Sequence, residues 1–289
     1  MKVTVINPIG YCAGVTNAIN IALKAREDFP TKAIYVIGML VHNEQVVNLL
    51  NNKNIITLYR KNNIDEELIN TIPEDSIVIF SAHGHDYKLD QLCLQRNLKI
   101  LDTTCPKVKN NIDKINKEIK NNHQIIYIGH NKHPEALAAL AISKDVIFYE
   151  TKLGTNYSLL KDNSPLVINQ TTLNTMELVD IHKDIKSHIP DARFMDEICN
   201  TTRLRQEGIK NLSNDVDLII IVGDSNSSNT NRLFEIATTV HKNTLTILTS
   251  SLEDMDKSVL TNKKHIAIAS GASTPIETIN DMVNYIKSL

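Results

Sequence analysis

Short runs of Val, Ile and Leu recur along the whole chain, and longer segments with helix-like spacing of apolar residues separate them. The runs are VTVIN (3–7), AIYVIG (33–38), SIVIFS (76–81), LKILD (98–102), QIIYIG (124–129), PLVIN (165–169), LIIIVG (218–223), LTILT (245–249) and HIAIAS (265–270). Strand-length runs that alternate with helices are typical of α/β proteins with parallel sheets. The sequence therefore predicts an α/β fold.

Three of these strands open segments that resemble one another, namely IYVIGMLVHNE, IIYIGHNKHPE and LIIIVGDSNSSN. The segments start at residues 34, 125 and 218, so their spacing predicts three similar units of about 95 residues. We expect three lobes, each with a small parallel sheet and flanking helices. The predicted bounds are 1–104, 105–198 and 199–289, and the N-terminal strand could complete the third lobe.

The composition argues against several classes of protein. A net charge of −2 gives no basic field for nucleic acid, and 4% aromatic residues without Trp offer few stacking platforms for single strands. The longest apolar runs, such as 218–222, are much shorter than the roughly 20 residues of a membrane span. The chain opens on a strand-like run and not on a secretion signal. We expect a cytoplasmic protein that binds neither nucleic acid nor membranes.

Three of the four cysteines share one setting. Cys12, Cys105 and Cys199 each precede a helix-like segment, and each lies in a different unit. The partial positive charge of a helix N-terminus favours a thiolate, which is the form that binds metal. Three such thiolates could hold a [4Fe-4S] cluster and leave one iron open to substrate. Buried free thiols, or a zinc site of three Cys and one His, are the alternatives.

The fourth cysteine has a different setting. Cys93 lies in an apolar helical stripe, so we expect it to pack in the core.

Polar residues gather where strands end. In parallel sheets, ligands bind beyond the carboxyl ends of the strands. Five of the ten histidines lie there, namely His42, His83, His85, His130 and His133. The sequence therefore predicts a ligand site built from strand-end loops.

Two strand-end segments, GDSNSSNTNR and SGASTPIE, carry hydroxyl and amide groups where helices start. Such groups suit a phosphate without a large net charge, although plain helix capping would also explain them. In the second segment Thr274 and Glu277 resemble a capping box, which would leave Ser273 to face a ligand. The chain has no P-loop and no dinucleotide fingerprint, so a small diphosphate is the ligand these segments favour.

The segment HNKHPE places His133 beside Glu135 at the start of a helix. A carboxylic acid in a closed pocket near a His can have a pKa suited to proton delivery. An ordinary first-turn Glu that complements the helix dipole is the alternative.

The motifs NPIGYCAGV, VHNEQVV, FSAHG, DTTCPKV, IGHNKHPE, NQTTL, EICNTTRLRQE, VGDSNSSNTNRL and ASGASTP occur in this order along the chain. In this combination the chain resembles the 4-hydroxy-3-methylbut-2-enyl diphosphate reductase family from end to end. The resemblance implies that Cys12, Cys105 and Cys199 ligate a [4Fe-4S] cluster with one open iron, at the centre of a three-lobed α/β fold.

The resemblance also implies an activity. It is the reductive dehydroxylation of (E)-4-hydroxy-3-methylbut-2-enyl diphosphate to isopentenyl and dimethylallyl diphosphate, the last step of non-mevalonate isoprenoid precursor biosynthesis. Glu135, Thr171 and His133 would be catalytic, and Glu135 would help to protonate the departing oxygen. The substrate-binding residues would be His42, His83, His133, Thr171, Ser227, Ser228, Asn229 and Ser273. Because the chain carries no flavin or nicotinamide motif, an external one-electron donor such as ferredoxin or flavodoxin would be needed.

Two rival functions remain open at this point. One is another open-iron enzyme on a threefold scaffold, such as a quinolinate-synthase-like condensation, which would need carboxylate recognition. The other is a cluster protein that senses iron or oxygen, which would not need Glu135. His85 departs from the family pattern, and the sequence assigns no role to it or to Arg203, Arg205 and Arg232.

Overall fold

The structure is a computed structural model that describes residues 1–59 and 64–289. In these residues the chain forms twelve strands and ten α-helices. The strands are β1 Lys2–Val5, β2 Ile34–Ile37, β3 Ile55–Leu58, β4 Ile77–Phe80, β5 Lys99–Asp102, β6 Ile125–Gly129, β7 Val146–Glu150, β8 Leu166–Asn169, β9 Arg193–Phe194, β10 Leu218–Val222, β11 Leu245–Thr249 and β12 His265–Ser270. The helices are α1 Ala13–Asp28, α2 Glu44–Asn51, α3 Asp65–Thr71, α4 Lys88–Gln95, α5 Pro106–Lys120, α6 Pro134–Leu140, α7 Thr175–His188, α8 Asn200–Lys210, α9 Ser228–Val240 and α10 Ile276–Ser288.

The strands form three four-stranded sheets, and every pairing within them is parallel. Sheet I has the order β3-β2-β4-β5, sheet II β7-β6-β8-β9, and sheet III β11-β10-β12-β1. The three strands that open the similar segments, β2, β6 and β10, occupy the same position in their sheets. The prediction of three small parallel sheets with flanking helices is confirmed.

Strand β1 is the one that crosses between units. It pairs with β12, with Lys2 opposite His265, so the first strand of the chain lies at the edge of sheet III. The lobe boundaries near residues 104 and 198 stay predictions.

Helices cover both faces of each sheet, which explains why the inner strands read as continuous apolar runs. In sheet I, Val36 packs with α1 and α2 on one face. The next residue, Ile37, packs with α3 and α4 on the other face, because successive side chains of a strand point in opposite directions. Cys93 is fully buried in this second cluster, as the apolar stripe predicted. None of the helices in the described residues has the length and apolarity to cross a membrane.

Candidate active site

One cavity lies where loops from all three sheets meet at the carboxyl ends of their strands. It encloses about 720 Å³, including its open mouth. Every residue with a predicted role in metal binding, substrate binding or catalysis lines it, namely Cys12, His42, His83, Cys105, His133, Glu135, Thr171, Cys199, Ser227, Ser228, Asn229 and Ser273. The fold therefore brings together residues that are as much as 261 positions apart in the sequence.

The three cysteines occupy equivalent places in the three sheets. Each follows an edge strand of its sheet (β1, β5 or β9) and stands immediately before the first residue of a helix (α1, α5 or α8). Each backbone N–H donates to a carbonyl in the loop after the neighbouring strand. The bonds are Cys12 N to Ala272 O (3.0 Å), Cys105 N to Ala82 O (2.9 Å) and Cys199 N to Thr171 O (2.9 Å). The same type of backbone hydrogen bond thus positions all three cysteines at one cavity.

The cysteine side chains are close to one another. A Cβ atom added to Gly14 would lie 2.8 Å from the sulfur of Cys105 and 3.9 Å from that of Cys12, so only glycine leaves room there. Burial raises the pKa of the Cys105 thiol. The backbone N–H groups of Lys107 and Val108 oppose this rise, and the neighbouring thiols add to it.

At Cys105 the backbone N–H groups at the helix start favour the thiolate, but burial outweighs them. A bound metal centre would supply the missing positive charge. In residues 1–59 and 64–289, no group of three His, Cys, Asp or Glu side chains is arranged to hold a single metal ion. Three sulfurs around one space suit a larger inorganic cluster, and the residues fit that group.

Three histidines cluster beside the cysteines. The ring centres of His42 and His83 are 4.3 Å apart, and the ring of His133 lies 5.8 Å from the first and 5.6 Å from the second. His133 also precedes α6, where its Nδ1 accepts a hydrogen bond of 3.2 Å from the backbone N–H of Glu135. The cavity thus carries imidazole groups from loops of sheets I and II, which can bind an anionic ligand.

The hydroxyl and amide residues Ser227, Ser228 and Asn229 line the cavity at the N-terminus of α9. Ser227 accepts a hydrogen bond of 3.3 Å from the backbone N–H of Thr230, so it is also a helix cap. Asn229 is 4% exposed, and neither atom of its side-chain amide has a hydrogen-bond partner in the described residues. Buried polar atoms are nearly always paired, so this amide is available to a polar ligand in the cavity.

Ser273 lies beside the histidines, and its hydroxyl donates to the carbonyl of His42 at 3.0 Å. The capping box predicted for Thr274 and Glu277 is wrong. The helix begins at Ile276, and the hydroxyl of Thr274 donates instead to the carbonyl of Val222 at 3.0 Å.

Glu135 is the buried carboxyl group of the cavity, at 3% exposure. Its Oε2 accepts from the backbone N–H of Thr171 at 2.7 Å, and its Oε1 accepts from the hydroxyl of the same residue at 2.5 Å. Burial raises the pKa of Glu135 to about 7, against the hydrogen bonds from Thr171 and Tyr127 that favour the carboxylate. A carboxyl group with this pKa can both hold and release a proton near neutral pH.

Several residues of the site were not predicted from the sequence. Tyr127 lies in the middle of β6 and is buried like its neighbours in the strand. Its hydroxyl nevertheless bonds to Glu135. Thr172 lines the cavity and bonds to Ser228, the first residue of α9, at 3.1 Å. Lys107 also lines it and pairs with the buried Glu197. The doubled threonine of NQTTL was a signal for Thr172, whereas the other contacts depend on packing that no local pattern encodes.

The residues without an assigned role lie outside the lining of the cavity. His85 is buried, stacks on Phe80 with ring centres 3.7 Å apart, and bonds to Asp90 at 3.0 Å, so it is a packing residue.

Arg203 pairs with Asp196 at 2.6 Å near the surface. Arg232 of α9 forms ion pairs with Glu177 of α7, at 3.8 Å, and with Glu235 of its own helix. His130 also lies outside the cavity lining, with its Nδ1 3.0 Å from the hydroxyl of Thr151.

Comparisons with known proteins agree with this geometry. The 4-hydroxy-3-methylbut-2-enyl diphosphate reductase of Malacoplasma penetrans is 34% identical over 99% of this chain and 97% of its own. The enzyme of the same name from Macrococcus caseolyticus is 33% identical over 99% of this chain and 89% of its own.

Solved structures match as well. The structure of the E-1-hydroxy-2-methyl-but-2-enyl-4-diphosphate reductase of Plasmodium falciparum has a TM-score of 0.88 and 27% identity, over 98% of this chain and 87% of its own. A second solved structure, described as the terminal enzyme of the non-mevalonate pathway, has a TM-score of 0.69 and 26% identity over the whole of both chains. The model of the family described as LytB protein matches residues 3–287. This chain belongs to the LytB family.

Proposed function

We propose that the protein is a 4-hydroxy-3-methylbut-2-enyl diphosphate reductase that removes the hydroxyl group of its substrate as water. The observation that carries the proposal is the placement of the buried Glu135–Thr171 pair in one cavity with three cysteines and a set of phosphate-type donors. The relatives matched over almost the whole chain bear this enzyme's name. They favour the reductase over a quinolinate-synthase-like enzyme or a cluster sensor.

The diphosphate would lie between the histidine cluster and the N-terminus of α9. His42, His83 and His133 supply imidazole groups on one side. Ser227, Ser228 and Asn229 supply hydroxyl, amide and backbone N–H groups on the other, and Ser273 adds a hydroxyl beside His42. The unpaired amide of Asn229 supports this, because an anionic oxygen would accept its N–H at low cost.

Cys12, Cys105 and Cys199 would hold a [4Fe-4S] cluster. When bound, this cluster would supply single electrons and a Lewis-acidic iron for the substrate oxygen. The reaction consumes two electrons and two protons, breaks one C–O bond, and yields one molecule of water for each product molecule. The physiological donor, a ferredoxin or a flavodoxin, and the cytoplasmic location stay predictions from the sequence.

The chain's own part in the chemistry is to orient the alcohol and to move a proton. The Thr171 hydroxyl holds Oε1 of Glu135 and would contact the substrate hydroxyl, so that the carboxyl proton faces the oxygen that departs. Glu135 would donate that proton and regain one from solvent after water leaves. A proton added to either end of the allylic fragment gives isopentenyl or dimethylallyl diphosphate, so the position of its donor sets the product ratio.

Turnover under anaerobic conditions tests the proposal. The purified protein is incubated with the hydroxylated diphosphate and a chemical one-electron reductant, and products are identified by mass spectrometry. We expect both five-carbon diphosphates, with two electrons consumed per product molecule. The matched control is the same alcohol without its diphosphate, which should turn over far more slowly. A protein that holds a full complement of iron and sulfide but forms neither product would refute the proposed function.

A further inference from the structure

Arg205 is the most deeply buried charged side chain near the cysteines, at 1% exposure. It lies on α8, six residues after Cys199. One terminal nitrogen donates to the carbonyl of Ser270 at 2.6 Å, to the hydroxyl of the same residue at 3.0 Å and to the carbonyl of Gly271 at 3.3 Å. The other donates to the carbonyl of Gly10 at 2.7 Å. The guanidinium group thus joins α8 to the loop before Cys12 and to the end of β12.

These acceptors are all neutral. Within residues 1–59 and 64–289 no carboxylate forms an ion pair with Arg205. Burying a cation without an anionic partner is costly, so a negative charge is expected nearby. Burial lowers the pKa of Arg205 to about 10, and the groups that oppose this fall are the thiols of Cys12 and Cys199. The guanidinium therefore stays charged at neutral pH and interacts electrostatically with two of the three candidate ligands.

The same hydrogen bonds hold the two segments that position Cys12. Gly10 lies two residues before Cys12, and Gly271 lies beside Ala272, whose carbonyl accepts the backbone N–H of Cys12 at 3.0 Å. Arg205 thus binds both segments that hold Cys12, from the helix that begins after Cys199. A side chain placed for packing alone would not need a charged group here.

We propose that Arg205 is a positioning residue and the fixed countercharge of the three-cysteine centre, and that it raises the reduction potential of the cluster. The inference rests on the proposed function for the identity of the cluster. Because one-electron reduction makes a thiolate-ligated cluster more negative, a buried cation stabilises the reduced form more than the oxidised form. Removing the charge makes the cluster harder to reduce.

The test is a redox titration of the cluster in the whole, anaerobically purified protein without substrate. The variants are Arg205→Gln, which removes the charge, and Arg205→Lys, which keeps it. Arg203→Gln is the matched control, because this arginine lies on the same helix but pairs with Asp196 near the surface. Iron and sulfide are determined for each variant, and circular dichroism checks that each is folded.

In Arg205→Gln we expect the equilibrium constant for one-electron reduction to fall at least tenfold, a drop of about 59 mV. In Arg205→Lys and Arg203→Gln we expect it to stay within about threefold of the unchanged protein. An unchanged potential in Arg205→Gln would overturn the proposal, and so would an equal fall in Arg205→Lys. If Arg205→Gln loses its iron, the potential and iron content of Arg205→Lys decide the question. Loss of iron from both variants, while both stay folded, would rule out the countercharge.

The potential is measured without turnover, so it reports on Arg205 even in a protein that lacks reductase activity. A folded wild-type chain that binds no iron and sulfide would refute the proposed cofactor, which is determined first.

Discussion

Thr171 holds both oxygens of the Glu135 carboxyl group, one through its backbone N–H at 2.7 Å and the other through its hydroxyl at 2.5 Å. Thr171 lies in the loop after β8, and Glu135 lies in the first turn of α6. The pair therefore joins two segments that follow strands of sheet II. Both side chains are buried and line the cavity of the three cysteines. This arrangement fixes the direction in which a proton can leave, which is the basis of the predictions on Glu135.

Replacing Glu135 with Gln should abolish proton delivery without disturbing the fold, because the amide has the same shape and can still bond to Thr171. We expect kcat to fall roughly 10²- to 10⁴-fold, the usual contribution of general acid catalysis. Steady-state turnover with a chemical reductant measures this, with the exposed Glu67→Gln as the control. A Glu135→Gln protein with full activity would contradict the assigned role and would favour a sensor.

The raised pKa of Glu135 also makes stability depend on pH. Folding moves this pKa from an ordinary value of 4.5 to about 7. The folded state therefore holds the proton more tightly, and its contribution is fully present below pH 4.5 and is lost as the pH rises to about 7. The loss amounts to about 3 kcal/mol of unfolding free energy.

Urea unfolding of the wild type and Glu135→Gln under anaerobic conditions, at pH values from 5 to 8, checks this. We expect the stability of the Gln variant relative to the wild type to increase with pH up to about 7 and then to level off. A difference that does not vary with pH would show that Glu135 keeps an ordinary pKa in the folded chain.

Tyr127 offers a way to move this pKa without touching the acid. Its hydrogen bond stabilises the carboxylate of Glu135, so Tyr127→Phe should raise the pKa of Glu135 further. The pH dependence of kcat measures the effect. In the wild type the rate should fall above about pH 7 as Glu135 loses its proton, and in Tyr127→Phe this fall should begin at a higher pH.

Tyr285→Phe, on the distant α10, serves as the control and should leave the profile unchanged. A Tyr127→Phe profile that shifts to lower pH would mean that the phenol does not stabilise the carboxylate.

Asn229 should contribute to substrate affinity. Its unpaired side-chain amide can donate to a charged diphosphate oxygen, a bond that contributes about 1.5–3 kcal/mol. We expect Asn229→Ala to weaken substrate binding roughly 10- to 100-fold, measured by calorimetry without reductant so that no turnover occurs. Asn280→Ala, which changes an exposed asparagine of α10, should bind like the wild type. Equal affinity in Asn229→Ala would place the diphosphate elsewhere.

The sequence predicted nine of the twelve strands, and the three it missed, β3, β7 and β9, all lie at sheet edges. Edge strands can be partly exposed or short, which explains two of the three, whereas β7 does carry an apolar and mostly buried run from Val146 to Tyr149. In β3 the side chain of Ile56 is 45% exposed, and β9 has only two residues. The inner strands were found because burial on both faces imposes a continuous apolar pattern.

The residues of the site also fall into those that the sequence could locate and those that it could not. The cysteines, histidines and the Ser/Asn segment follow strands directly, so local pattern and family resemblance together located them. Tyr127 and Arg205 act through contacts between elements far apart in sequence, and a buried Tyr or Arg looks like any other residue of its strand or helix. Only the packing shows that Tyr127 bonds to the acid and that Arg205 interacts electrostatically with two thiols.

The most direct test of the three-cysteine centre is iron and sulfide analysis of the anaerobically purified protein and its single Cys→Ser variants. We expect about four iron and four sulfide per wild-type chain, as the cluster formula requires. Cys12→Ser, Cys105→Ser and Cys199→Ser should each lose most of both, whereas Cys93→Ser, whose thiol is buried in the core of sheet I, should keep them. Full iron and sulfide in any of the first three variants, or a wild-type chain without either, would contradict the assignment.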